Sequence, residues 1–396
     1  MSKQTSPFLT RDFMALVGMI FLSYTNLAVF FTFAPYLASL QINASMIGVV
    51  IGVFSLSGLV LRPLITPFLF PGNARKWIAL AAAVDIGALF LYCAAKTFWP
   101  LLLLRLVHGA AYVCMAAGKM ALIVAFIPKK KVSMAFSLTS SGMLLPMALM
   151  PPLLKHITPV LGGFDRTLVA TGLLMILIYP LLVCIRPRDR NGQPHPVVAP
   201  IGWKEYMKNL GNPVIAGVLL VTLVMFLGIA GSFHYCAQFG QSIGVGNAGW
   251  FFTIAIFTMI AVRLLGGPVL DRIRPEVLGV CSLALLVPAY AGLATLESNV
   301  IFYALAPLFG ICWGVAHPIL HAMLFYVSVP RLQALNQNMG TEMVDGGFFF
   351  GPLVGGMLIG SSGFSGFFAI CALLSAIALM VFLAVIPPFK RARRQH

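Results

Sequence analysis

Glu342 and Asp345 lie three residues apart inside a long apolar run. That spacing puts both carboxylates on one face of a helix. Two neighbouring carboxylates disfavour double ionisation, and a carboxyl that loads and releases a proton is what ion-coupled transport needs. Gly340, Gly346 and Gly347 surround the pair and let another helix approach. In a second run, Arg105 and His108 share a face, and an imidazole titrates near neutrality. Proton relay or gating suits that pair. Lys119, beside Gly118, sits deeper in the same run and could hold an anionic group of a substrate or neutralise an acid. Tyr24, Thr25 and Asn26 form a polar patch in the first run; His234 and Tyr235, then Trp313, His317 and His321, form others. His317 and His321 have the one-turn spacing of metal ligands. Two imidazoles leave a coordination shell incomplete, Pro318 intervenes and no Glu adjoins them. A polar, aromatic cavity wall is therefore expected, with no metal and no cofactor. The bland alternative for each charge is structural: the two acids locking their helix to basic or backbone groups, and Arg105 pairing across the bundle.

What must position these groups is a membrane bundle. Sixty per cent of the 396 residues are hydrophobic, mean hydropathy is +0.96, and 9% are charged. Soluble domains carry about 25% charged residues. Roughly 20 apolar residues cross a bilayer as a helix, and twelve such stretches fit: about 13–36, 45–70, 77–95, 99–127, 132–154, 166–185, 213–239, 247–270, 276–295, 299–328, 334–360 and 365–386. The fold class is all-α, in two pseudo-symmetric six-helix bundles. Lipid offers no partner to unpaired backbone groups, so the spans are helical; they lack the alternation of a β-barrel. A span runs outward from about residue 334, so Glu342 lies roughly 12 Å in and Asp345 roughly 16 Å, near the midplane. The seven cysteines are scattered among apolar runs and read as packing residues.

The net charge of +16 comes in short clusters between apolar runs. That pattern argues against nucleic acid and sets orientation instead. With the N-terminus in the cytoplasm, 19 Lys and Arg fall on the cytoplasmic side, and Lys96, Lys155 and Arg166 on the other. Both termini are expected in the cytoplasm of a multi-pass protein of the inner (plasma) membrane. The first run after Lys3 and Arg11 reads as an uncleaved span, being too long for a signal core. Residues 186–212 are polar, basic and Pro/Gly-rich, a cytoplasmic linker between bundles at 1–185 and 213–396. Trp203, Tyr206 and Met207 fit a short amphipathic helix on the membrane surface.

The bundles repeat one another. RPLITPFLF from Arg62 aligns with RLLGGPVLD from Arg263, 201 residues on, matching Arg62 with Arg263, Leu64 with Leu265, Pro67 with Pro268 and Leu69 with Leu270. Such repeats build alternating-access transporters.

At these motifs the chain resembles the major facilitator superfamily. Gly266-Gly267-Pro268-Val269-Leu270-Asp271-Arg272, followed by Arg274, is similar to the family signature between spans two and three, whose Asp latches one access state. The first copy has Thr66 and Phe70 where the family has Gly and Asp. Arg105-Leu106-Val107-His108-Gly109 resembles an Arg-x-x-Gln-Gly element of proton-coupled drug exporters, with His for Gln. Gly347 to Gly356, containing Gly351 and Pro352, resembles the antiporter signature but stands in span eleven instead of span five. The resemblance implies a twelve-span secondary transporter, a monomer, with spans three, six, nine and twelve outside the cavity. Asp85, in span three, is then expected in a buried salt bridge. The implied function is proton-coupled export of a small organic molecule, with Glu342 or Asp345 taking the proton and Arg105 and His108 biasing that step. Asn26, Tyr24, Lys119, Trp313 and His317 would bind substrate, and Arg62, Gly266, Asp271, Arg272, Gly347, Gly351 and Pro352 would serve gating or packing. The alternative is an uptake symporter for an organic anion, favoured by the embedded Lys119 and Arg105. A transporter-like receptor or an intramembrane enzyme is a third reading, against which stand short loops and the lack of a nucleotide loop or nucleophile motif.

Overall fold

The computed structural model describes residues 10–42, 44–127, 131–185, 200–245, 248–270, 272–296 and 298–395. Asp271 and the basic stretches 128–130 and 186–199 lie outside the described residues. Among the described residues there is no strand. The helices are α1 (Arg11–Val29), α2 (Phe33–Ser39), α3 (Ala44–Ile65), α4 (Pro71–Leu91), α5 (Phe98–Phe126), α6 (Val132–Leu161), α7 (Phe164–Met175), α8 (Ile178–Cys184), α9 (Trp203–Leu210), α10 (Pro213–Ser242), α11 (Trp250–Leu270), α12 (Pro275–Ala294), α13 (Asn299–Val327) and α14 (Gln333–Gln395). The chain forms two compact units: Met1–Lys131 with Gly142–Pro200, and Val132–Ser141 with Ile201–His396.

These helices supply the twelve spans, with three departures from the sequence reading. Span one is not continuous: a 3-10 turn at Phe30–Thr32 separates α1 from α2. Span six is likewise broken, between α7 and α8. Span five runs on to Leu161 instead of ending near 154. Spans eleven and twelve are the two arms of α14, parted only by Gly363, whose φ of 68° is left-handed. Glycine alone adopts that conformation without a Cβ penalty.

Local chemistry fixes the ends. Proline opens α4, α10 and α12, where its missing N–H would have no helical partner. Asn212 caps α10 by accepting from the Val214 and Ile215 amides. Thr10 accepts from the Phe13 amide at the start of α1. Among the described residues, eight helical stretches are long and apolar enough to cross a membrane, with shorter apolar ones at Met134–Met150 and Trp250–Arg263. Large apolar side chains such as Leu103, Leu265 and Met357 are exposed. Such exposure costs nothing where a helix surface meets lipid.

The 201-residue offset seen at Arg62 and Arg263 extends through the packing. α5 and α13 begin at 98 and 299 and end at 126 and 327. The left-handed Gly162 corresponds to Gly363. Gly109 of α5 abuts Phe54 and Ser57 of α3; Gly310 of α13 abuts Ala255 and Thr258 of α11, each residue displaced by the same 201. A methyl on either glycine would strike the facing backbone, 2.7 Å from the Phe54 carbonyl oxygen in the first case. Both units thus seat their fourth helix on their second through one glycine.

Candidate functional site

A charged cluster lies in the core of the first unit. α4 packs along α5 and brings Asp85 to His108, with Nε2 2.8 Å from Oδ1. Asn26 of α1 donates to the other carboxylate oxygen at 2.9 Å and lies 3.1 Å from His108 Nε2. The Tyr92 hydroxyl stands 3.5 Å from His108 Nδ1. Asp85 and Asn26 are fully buried, and His108 is 1% exposed. One turn before His108, the Arg105 guanidinium lies 4.2 Å from the Phe30 ring centre and 4.3 Å from that of Phe54. Cation–π attraction holds it there. Its Nε and Nη1 have no hydrogen-bond partner among the described residues. Lys119, further along α5 and also buried, donates to Ser23 of α1 at 2.5 Å.

Arg105, His108, Asn26 and Lys119 were all legible as embedded polar groups. Asp85 was read as a structural ion-pair partner; the structure gives it His108 for that partner. Asn26, expected to bind substrate, donates to Asp85. Tyr24 leaves the cluster and packs edge-on against Tyr112, at 6.2 Å.

The second unit carries its polar groups differently. Trp313 and His317 share a face of α13. Around them stand Phe226 and Phe233 of α10 and Phe348 of α14; ring contacts run from His317 through Phe226, Phe348 and Phe233 to Trp313, with centres 5.5 to 6.3 Å apart. Trp313 Nε1 and His317 Nδ1 lack hydrogen-bond partners among the described residues. His321 lies 2.6 Å from Gln337 Oε1 through Nδ1, while Gln337 returns a bond to the His321 carbonyl. That lock occupies the imidazole which would have completed a metal pair, and no three-residue metal cluster occurs among the described residues. Arg263 donates to the Trp313 and Gly314 carbonyls.

Glu342 is buried and Asp345 half-buried on the first arm of α14, in the second unit. Arg105 and His108 belong to the first. The four residues predicted as one proton-coupling group are therefore divided between the units.

The glycine signature of span eleven has a visible packing role. A methyl on Gly351 would lie 2.7 Å from the Leu227 carbonyl oxygen, one on Gly347 would overlap Phe226, and Gly355 and Gly356 accommodate Tyr235. The Tyr235 hydroxyl donates to the Pro352 carbonyl at 2.8 Å. The motif lets α14 lie directly on the backbone of α10. In the other signature, Arg62 is 2% exposed, Gly266 is half-buried and Arg272 is exposed.

Two polar clusters escaped sequence reasoning. α9 docks on the second unit: Tyr206 and Asn209 are buried, while Trp203 and Met207 are exposed. Asn209 donates to Asn336 at 2.5 Å, Asn336 to Ser328 at 2.6 Å, and Arg331 pairs with Glu205 at 3.2 Å. Burial, then the nearby Glu342 charge, pushes the Tyr206 phenol above its ordinary range. In the first unit, Lys96 donates to Asp165 at 2.6 Å and to Tyr36 at 2.8 Å, and Tyr36 donates to Asp165 at 2.6 Å. Desolvation alone would lower the Lys96 ammonium. Its bonds to Asp165 and Tyr36 outweigh that and hold it above the usual lysine value. Lys96 gave a sequence signal as a rare cation on the sparsely charged side, and Tyr206 gave one as part of an amphipathic stretch, but neither pointed to these partners.

Twelve apolar helices in two repeated units define a membrane transporter rather than an enzyme. The sequence profile of the Major Facilitator Superfamily matches residues 16–341, and the chain belongs to that family. No curated protein matches it. Similar solved structures include the human organic anion transporter TETRAN, at 14% identity and TM-score 0.72, covering 94% of this chain and 99% of that one. They also include FucP in the outward conformation, at 12% identity and TM-score 0.73 with 96% and 99% coverage. A further structure of FucP, the E. coli fucose:proton symporter, matches at 10% identity and TM-score 0.75, with 94% and 98% coverage. These likenesses are of fold.

Proposed function

We propose that the chain is a proton-coupled secondary transporter that exports a small organic molecule by alternating access, with Asp85 and His108 as its proton-carrying pair. One observation carries this reading. Displacing the first cluster by 201 residues turns Asn26, Asp85, Tyr92, Arg105 and His108 into Leu227, Leu286, Leu293, Ala306 and Phe309. The second unit builds the same helix packing without a single one of these polar groups. The fold does not require them, and buried charge in a membrane is expensive. A function that needs charge explains their presence.

The chemistry follows from the contacts. A proton on the pair sits between Asp85 Oδ1 and His108 Nε2. Asn26 holds the carboxylate in register. Loss of that proton leaves negative charge near the Arg105 guanidinium, which has unused donors to receive it. Phe30, on which Arg105 rests, begins the 3-10 break of span one, so a change in Arg105 reaches the helix at its weakest point. Differential affinity of proton and substrate for the two access states provides the coupling. Glu342 and Asp345 remain a second protonatable pair on the other unit. The span-eleven glycine signature favours export. Lys119, buried and bonded to Ser23, favours the second reading, uptake of an organic anion with protons.

Infrared difference spectroscopy on a pH jump tests the pair without a substrate. The carboxyl band should vanish in Asp85→Asn and move in His108→Gln. A band unaltered in Asp85→Asn would place the proton elsewhere. Direction is separated in everted vesicles: an acid lumen should drive accumulation of an exported substrate and release of one taken up by symport.

A further inference from the structure

The aromatic cluster of the second unit has unfinished hydrogen bonding at its floor. Trp313 is 2% exposed, yet its indole N–H has no acceptor among the described residues. His317, one turn on, is half-buried with Nδ1 equally unpartnered. Buried donors without partners are rare in native structures. Both groups lie inside a rim of three phenylalanines from two other helices. Phe226 meets His317 edge-on at 5.5 Å, Phe233 stacks on Trp313 at 5.8 Å, and Phe348 touches both phenylalanines. Phe348 is 41% exposed. Beneath it lies Arg263, 5% exposed, held by the carbonyls of Trp313 and Gly314. Among the described residues it makes no ion pair, so the floor keeps a positive charge. His321, the other imidazole of that face, is held by Gln337 and takes no part.

We infer that Trp313, His317 and the phenylalanines at 226, 233 and 348 form the substrate site, and that its substrate class is a planar aromatic carboxylate or similar organic anion. The ring would lie against phenylalanine faces, which prefer offset or edge-on aromatic partners. The anionic group would accept the Trp313 N–H and a His317 N–H, over the field of Arg263. A few placed polar groups in an apolar wall are the usual build of such a site. A cation would meet Arg263 repulsion, and a neutral aliphatic molecule would leave both donors unpaired.

This inference rests on the transporter reading and names its substrate. The test is calorimetric binding of three probes to the purified full-length protein in detergent, at fixed pH and without a gradient. The probes are 2-naphthoate, its neutral analogue 2-naphthylmethanol, and the non-aromatic anion cyclohexanecarboxylate. Naphthoate should bind, with the alcohol and the aliphatic acid each at least about tenfold weaker. Trp313→Phe keeps the ring stack and removes the donor; it should weaken naphthoate by about tenfold. Phe348→Leu, at an exposed position, should weaken naphthoate and leave the unfolding temperature unchanged. Equal binding of alcohol and acid would overturn the anion class. Undiminished naphthoate binding in both variants, or no binding of any probe, would overturn the site. Asp85→Asn separates the two readings. If its proton coupling is lost while naphthoate still binds, both the proton pair and the substrate site stand; if coupling persists, the proton pair is wrong, and naphthoate binding alone decides the substrate site.

Discussion

Helix α5 and helix α13 occupy equivalent places in the two repeats, begin and end 201 residues apart, and seat on their neighbours through Gly109 and Gly310. Their buried faces carry opposite chemistry. α5 presents Arg105, His108 and Lys119, each at most 4% exposed. α13 presents Ala306, Phe309 and Leu320, at most 2% exposed. Phe309 packs on Tyr290 and Trp313 at 4.8 and 5.2 Å, filling with rings the space that His108 fills with a charged network. A duplicated scaffold separates what folding needs from what is added to it. The glycines and the left-handed turns at 162 and 363 recur. The charges do not.

The largest effect should come from removing one side of the charged network. Asp85→Leu installs the residue of the second repeat but strands His108 and Arg105. Breaking a buried pair in this way costs about 3–5 kcal/mol. The double replacement Asp85→Leu with His108→Phe restores the chemistry of Leu286 and Phe309. It should recover most of that loss while abolishing proton-coupled transport. Thermal unfolding of single and double variants, in one detergent, reads the coupling directly. Additive losses would mean that the second repeat tolerates apolar residues for reasons of its own.

Next in size are the glycine seats that the repeats share. Gly109→Ala and Gly310→Ala should each destabilise by about 1–3 kcal/mol, as overpacked positions do. Gly351→Ala, against the α10 backbone, should join them. Comparable losses at 109 and 310 would support the common scaffold. A loss at 109 alone would show that the seat serves the charged cluster and not the fold.

The repeat was partly legible in the sequence. The identities at Arg62 and Arg263 set the offset, and hydropathy set the number of spans. Its continuation through Gly109 and Gly310 was invisible as a match, because the residues they abut, Phe54 and Ser57 in one unit and Ala255 and Thr258 in the other, differ in identity, and the first pair in size as well. The site was legible as a list of embedded polar residues and not as a grouping. Helical spacing joins Arg105 to His108, but only the packing of α4 on α5 joins His108 to Asp85, 23 residues away along the chain. Glu342 and Asp345 stand on one helix face by spacing alone, but spacing along one helix says nothing about which side chains pack against it. The breaks in spans one and six lie about one turn before Pro35 and Pro180, whose missing N–H cannot bond the carbonyls of residues 31 and 176, so each run carried a local signal that hydropathy alone does not read.

The smallest prediction concerns a contact that the second repeat lacks. Lys96, Asp165 and Tyr36 tie α2, the α4–α5 connection and α7 in the first unit. Their counterparts 201 residues on are Glu297 and Gly366 for Lys96 and Asp165, with Ala237 for Tyr36, so this set of contacts belongs to one unit. Because Lys96 is held above its ordinary value, its charged form binds protons more tightly folded than unfolded. The contribution is therefore fully present below the unfolded lysine value, about 10.4, and is lost as pH rises through the higher folded value. Lys96 and Asp165 are well exposed, so screening keeps the effect small. Unfolding measured against pH should show a shallow loss of stability above about pH 10 that disappears in Lys96→Met. A loss that persists in Lys96→Met would trace instead to other groups that titrate there, and the contact would count for nothing in the difference between the units.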